Sequence, residues 1–127
     1  RAKQTAEKVC EVKRTPLIVS SGFKERDFGV YEGLTREEAK GKYPELWEKE
    51  CTRLIEDAPT GGETIRQFDE RITKALSEVE KEYASKSVLL VTHGFSSQII
   101  NRHYKNLNYD EMHEFTLGNC EIAKYIV

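Results

Sequence analysis

Ser87-Val88-Leu89-Leu90-Val91-Thr92-His93-Gly94-Phe95-Ser96 is the stretch on which the fold turns. Residues 87–92 form a nearly continuous apolar run of strand length, the pattern of a strand buried on both faces of a parallel sheet. An imidazole follows, then a glycine that permits a tight turn, then a helical pattern over residues 96–104. That order puts His93 at the carboxyl end of a strand, where ligands bind in open α/β sheets. The start of the following helix offers free amides and the positive end of its dipole, both of which favour an anion. A histidine there can donate to a phosphate oxygen, act as acid, base or nucleophile, or simply cap the turn.

Outward from this stretch, helical and extended patterns alternate. Residues 2–13 read as a helix with Ala2, Ala6, Val9 and Cys10 on one face, and Pro16–Ser20 reads as a short β-branched strand. A loop runs from Ser21 to Leu34 with glycines at 22, 29 and 33. Thr35-Arg-Glu-Glu38 is a capping box that opens a short helix ending near Gly41–Tyr43. Pro44 suits the first position of a further helix, with Leu46, Trp47, Cys51, Leu54 and Ile55 as its buried stripe. After a break over residues 57–62, Thr64 and Gln67 form a second capping box. The helix they open carries Ile65, Phe68, Ile72, Leu76, Val79 and Tyr83 at helical spacing. Residues 119–127 alternate as a strand. Strands separated by helices predict a layered α/β domain, three layers deep (α/β/α), around a mostly parallel central sheet.

Composition narrows the function classes. At 127 residues the chain suits a single domain, and 38% hydrophobic with 33% charged residues suits a water-soluble one. No apolar run reaches the length of a membrane span and no leader pattern precedes a cleavage site, so the expected location is the cytoplasm, with no membrane partner. The net charge of −2 argues against a nucleic-acid partner. Cys10, Cys51 and Cys120 are odd in number and widely spaced, which reads as free thiols in a reducing compartment. His93, His103 and His113 fall ten apart, not at ligand spacing, so neither a metal nor any other cofactor is expected. Gly94-Phe-Ser96-Ser-Gln98 lacks the last glycine of a nucleophile elbow.

Two more stretches could carry chemistry. Phe23-Lys-Glu25-Arg26-Asp27-Phe28-Gly29-Val-Tyr31-Glu32-Gly33 interleaves charges with aromatics. A carboxyl held among aromatic rings has its charged form disfavoured, which suits a general acid, whereas composition alone describes a solvated loop. Arg1 stands at a helix start, where a guanidinium can bind phosphate oxygens bidentately or merely remain solvated.

Taken in order, these stretches resemble the histidine phosphatase superfamily, in its phosphoglycerate mutase-like branch. The resemblance rests on Arg1-Ala-Lys-Gln-Thr-Ala6, on Glu25 to Gly33 as Glu-x-x-x-Gly-x-x-Glu-Gly, and on Pro59-Thr-Gly-Gly-Glu-Thr64 with one extra residue. It rests also on Val91-Thr-His-Gly94 and on Asn119-Cys120 before the last strand. It spans essentially the whole chain and implies phosphoryl transfer to a histidine of an Arg-His-Gly motif, then to water or a second acceptor. By that resemblance Arg1 is one of two arginines on the phosphate, His93 is the second histidine, and Glu25 is the general acid. Phe95 and Ser96 offer backbone amides to the ligand, and Arg26, Glu63 and Asn119 are pocket residues. No Arg-His-Gly occurs in this sequence. The resemblance places that motif before Arg1, on the first and central strand, so the chain is expected to be the C-terminal portion of such a domain, lacking that strand. The implied partner is a small phosphorylated metabolite. The short segment between Gly33 and Pro59 resembles the phosphatase members more than the cofactor-dependent phosphoglycerate mutases, which carry an insertion there. A mutase and a non-catalytic phosphate-binding module are the alternative readings. A homodimer is compatible with the sequence, which does not fix the oligomeric state.

Overall fold

The computed structural model describes all 127 residues, Arg1–Val127. Its regular elements are helices: α1 (Ala2–Lys13), α2 (Arg36–Lys42), α3 (Pro44–Glu48), α4 (Ile65–Glu82), α5 (Gly94–Lys105) and α6 (Tyr109–Met112), with 3-10 turns at Ser21–Phe23 and Gly29–Tyr31. The chain forms two compact units, Arg1–Glu25 with Ile72–Val127, and Arg26–Arg71. The boundary falls inside α4.

In the unit Arg26–Arg71, helix starts are set by the caps that the sequence announces. Thr35 Oγ1 accepts from the Glu38 amide at 3.2 Å, and the Glu38 carboxylate accepts from the Thr35 amide at 2.8 Å, closing the capping box of α2. Thr64 and Gln67 exchange the same pair of bonds at 3.0 and 3.1 Å ahead of α4. Pro44 occupies the first turn of α3, which packs on α2. Ala39, Cys51, Ile65 and Phe68 are the buried apolar residues of this unit. The helix expected to carry a stripe from Leu46 to Ile55 is shorter than that. It ends at Glu48, Glu50 takes a left-handed φ of 49°, and Leu54 is 48% exposed. Two loops close on each other, with the Val30 amide donating to the Thr60 carbonyl at 3.0 Å and the Glu63 amide to the Asp27 carbonyl at 2.9 Å. That approach requires glycine. Gly29 has φ +54°, and a Cβ there would stand 2.2 Å from the Thr60 oxygen.

In the other unit, Ile72, Ala75 and Leu76 of α4, Ile99 and Ile100 of α5, Met112 of α6 and Phe23 are buried. Burying a side chain of the Ile or Phe class is worth about 1.5–3 kcal/mol, so this cluster is what holds α5 against its neighbours. The Tyr104 hydroxyl donates to the Glu80 carboxylate at 2.8 Å, joining α5 to the C-terminal half of α4. Tyr125 donates to the Asn101 side-chain oxygen at 3.0 Å, joining the C-terminal segment to α5. A Cβ on Gly22 would stand 2.5 Å from the Ala75 Cβ, so the turn before Phe23 lies closer to α4 than any larger residue allows. Asn108 and Glu111 close a third capping box at the start of α6, a helix that the sequence reading does not predict.

The expected sheet is the main difference. Residues 16–20, 87–92 and 121–127 lie outside every helix, as expected, but none is a paired strand. Ile18, Val19, Val88, Leu89, Ile122 and Ile126 are all more than half exposed, where burial on both faces was expected for 87–92. The physical reason is that β-branched, apolar composition makes a segment ready for a sheet, while the strand itself exists only when a neighbour supplies the ladder of amides and carbonyls. α1 matches its predicted span but buries none of its residues fully.

Candidate active site

The site grows from the junction between residues 23–25 and residues 92–96, which belong to the same unit. Thr92 Oγ1 donates to the Phe23 carbonyl at 2.9 Å. Ser96 Oγ lies 3.4 Å from the Lys24 carbonyl and 3.2 Å from Glu25 Oε1. The Phe95 amide donates to Glu25 Oε2 and the Ser96 amide to Glu25 Oε1, both at 3.1 Å. Three consecutive residues of one loop are thus pinned, one after another, along the approach to α5 and its first turn. Two stretches about seventy residues apart in sequence are joined there.

Helix physics explains the contact. The first amides of a helix have no partner within it and sit at its positive end, so a carboxylate is a favourable ligand. The N-cap residue of α5 is His93, with extended backbone (φ −117°, ψ 170°) and no side-chain capping bond. The capping task therefore falls to Glu25, and the half-buried imidazole of His93 is not spent on the helix. The surroundings of Glu25 are two amides and a hydroxyl, where an aromatic environment was expected from the loop composition. The Phe95 ring stacks on the His113 imidazole instead, with centroids 6.1 Å apart and planes 16° from parallel.

The other residues singled out in the sequence go elsewhere. Arg1 is exposed at the N-cap of α1 and makes no side-chain bond to Glu25 or His93. Asn119 is exposed in the turn that Gly118 and Glu121 close, where Cys120 has φ +63°. Arg26, expected as a pocket residue, is only 2% exposed. Its Nε donates to the Glu63 carbonyl at 2.8 Å, Nη1 to the Thr52 carbonyl at 2.6 Å and Nη2 to the Asp57 carbonyl at 3.3 Å. Burial pushes this guanidinium below its ordinary value, with Cys51 and Glu63 acting in the opposite sense. Arg26 is thereby a clamp on the loop over residues 52–63, not a hand held out to a ligand. Glu63 is similarly committed. Its carboxylate takes Arg71 Nε and Nη2 at 2.7 and 2.6 Å and the Asp27 amide at 3.1 Å. Burial works against that charge, but Arg71, the Asp27 amide and Arg26 together hold the carboxyl below the usual range.

Sequence reasoning missed Thr92, Ser96 as a side-chain ligand of Glu25, and Arg71. Thr92 lies inside the stretch that decided the fold, and its hydroxyl in an otherwise apolar run was the signal available. Arg71 carried none, since an arginine on a helix face is usually solvated.

A half-buried imidazole beside a carboxylate at a helix start is an arrangement for anion chemistry, and the comparisons agree with its class. The family model of the histidine phosphatase superfamily (branch 1) matches residues 1–126, and the chain belongs to that family. It is 34% identical over 94 residues to an uncharacterized phosphatase, PhoE, of Bacillus subtilis, covering 74% of this chain and 43% of that protein. It is 30% identical over 125 residues to a 2,3-bisphosphoglycerate-dependent phosphoglycerate mutase of Bartonella quintana, covering 93% of this chain and 61% of that one. The chain thus spans about half the length of these curated relatives. Among solved structures, an alpha-ribazole phosphatase from Shigella flexneri superposes with a TM-score of 0.82 at 19% identity, over 92% of this chain and 58% of that one. The fold is accordingly that of the histidine phosphatases.

Proposed function

We propose that this chain is the acid-bearing and second-histidine portion of a phosphomonoester hydrolase that works through a phosphohistidine. The observation that carries the reading is the set of bonds from residues 92–96 to residues 23–25, which sets the Glu25 carboxylate on the first amides of α5, next to His93. The nucleophilic histidine belongs to an Arg-His-Gly stretch outside these residues, since His93, His103 and His113 all lie in other contexts. In this reading the nucleophile attacks phosphorus and the P–O bond to the alcohol breaks. Protonated Glu25 delivers its proton to the leaving oxygen, and His93 donates to the phosphoryl oxygens as charge builds on them. Water then attacks the phosphohistidine, Glu25 takes a proton from it, and phosphate leaves. Arg1 adds a guanidinium to the phosphoryl group. Residues 16–20, 87–92 and 119–127 are the strands of a mostly parallel sheet once the central strand lies among them.

The substrate in this reading is a small phosphorylated metabolite. The free thiols Cys10, Cys51 and Cys120 suit the cytoplasm. The short segment between Gly33 and Pro59 supports hydrolase over mutase. The test is turnover of a phosphomonoester by the whole gene product. Glu25→Gln and His93→Ala each lower it by about 10²–10⁴-fold at neutral pH, the usual contribution of an acid or an oxyanion donor. Unchanged turnover in either variant overturns the role assigned to that residue.

One observation favours the second reading, a phosphate-binding module without turnover. The Glu25 carboxylate occupies amides that a bound anion would use. That reading predicts phosphate binding by the whole gene product with no phosphohistidine formed on incubation with a phosphomonoester.

A further inference from the structure

Ser96 was expected to offer a backbone amide to the ligand, and the structure gives it a different task. Its side chain is fully buried at 0% exposure in the first turn of α5. Both its amide and its hydroxyl reach the same oxygen, Glu25 Oε1, at 3.1 and 3.2 Å, and the hydroxyl also lies 3.4 Å from the Lys24 carbonyl. A buried hydroxyl with two oxygens of consecutive residues in reach fixes both the position of the loop and the rotation of the carboxyl group. The next serine provides the contrast. Ser97 Oγ donates to the Gly94 carbonyl at 2.6 Å, a bond internal to α5.

We infer that Ser96 is the positioning residue of the general acid: it holds Oε1 of Glu25 so that the carboxyl presents its other oxygen, Oε2, as the proton donor to the leaving group. This rests on the reading of Glu25 as the acid. The step it serves is a single proton transfer, with the Oε2–H bond broken as the O–H bond of the departing alcohol forms and the P–O bond electrons pass to that oxygen. Ser96 itself gains and loses nothing.

Leaving-group dependence separates this role from a structural one. An alkyl phosphate needs its leaving oxygen protonated, whereas 4-nitrophenyl phosphate expels a stable anion and needs little help. In the whole gene product, kcat/KM of Ser96→Ala is expected to fall about tenfold for a simple alkyl phosphate, the scale of one hydrogen bond to a charged group, and less than twofold for 4-nitrophenyl phosphate. Ser96→Cys, which keeps the volume with a weak donor, should follow the same pattern if Ala packs poorly. Ser97→Ala should lower the melting temperature with no leaving-group dependence. In a Glu25→Gln background, Ser96→Ala should cost nothing further. Equal losses on both substrates for Ser96→Ala and Ser96→Cys, with Glu25→Gln still steeply dependent on the leaving group, overturn the inference for Ser96 and leave the acid in place. A Glu25→Gln variant that loses the same factor on both substrates overturns the reading of Glu25, and the inference with it.

Discussion

Glu25 and Arg26 are consecutive, belong to one motif, and are fixed by opposite kinds of partner in different units. Arg26 is 2% exposed and donates to three main-chain carbonyls of residues 52, 57 and 63. Glu25 is half-buried and accepts from two amides and a hydroxyl at a helix start. Carbonyls of a loop that has no ladder need donors, and the fork of a guanidinium can serve several at once. That use is architectural. A carboxylate on helix amides beside an imidazole with no capping duty is held where it can also meet an anion. The lesson is that a charged pair in a motif does not divide its labour by proximity in sequence, and the nature of the partner decides which charge builds and which one reacts.

The comparison breaks most visibly at Arg26. Arg26→Met removes three donors to part-buried carbonyls and leaves those acceptors without their guanidinium, at about 1–3 kcal/mol for each buried group left unsatisfied. We expect a loss of roughly 3 kcal/mol or more in equilibrium denaturation, with the residues 26–71 losing amide-exchange protection first. A variant within about 0.5 kcal/mol of wild type, the range of neutral surface changes, would refute the clamp.

A smaller effect is expected at Gly29, where the same loop meets residues 60–62. Gly29→Ala must hold φ +54° and bring its Cβ against the Thr60 carbonyl, so a loss of about 1–3 kcal/mol is expected from strained backbone alone. A melting temperature unchanged from wild type would show that the two loops do not need this approach.

The smallest effect should be the pH response of Glu63. Its carboxyl is held below the ordinary glutamate range in the folded chain. The stability it contributes is therefore complete above the ordinary glutamate value and is lost as pH falls through the lowered one. Glu63→Gln should flatten the acid side of the curve of melting temperature against pH, and identical curves would remove Arg71 and Asp27 as its stabilising partners.

How much of this was legible depended on whether the signal lay in side chains. The capping boxes at Thr35 and Thr64 name their own partners, so the starts of α2 and α4 could be read directly. The same signal at Asn108 and Glu111 was present and went unread because the helix it opens is only four residues long. His93 was legible because an apolar run, a histidine and a glycine mark a strand end before a helix start. Arg26 was not, because its partners are carbonyls, which carry no residue-type signal. Its placement beside a candidate acid therefore suggested a pocket where the chain builds a clamp. The sheet was legible as segments and not as a ladder. Val88 and Leu89 have the composition of a buried strand, yet only a pairing neighbour can bury them.

The division between Glu25 and Arg26 is tested most directly by one measurement on the whole gene product: turnover of an alkyl phosphate per folded molecule, with the folded fraction read from thermal melting of the same samples. Glu25→Gln should melt close to wild type and turn over at least a hundredfold more slowly, on the scale of a lost general acid, whereas Arg26→Met should melt far lower while its folded molecules keep most of their turnover. A Glu25→Gln variant that melts as low as Arg26→Met, or one that turns over at the wild-type rate, would contradict the account.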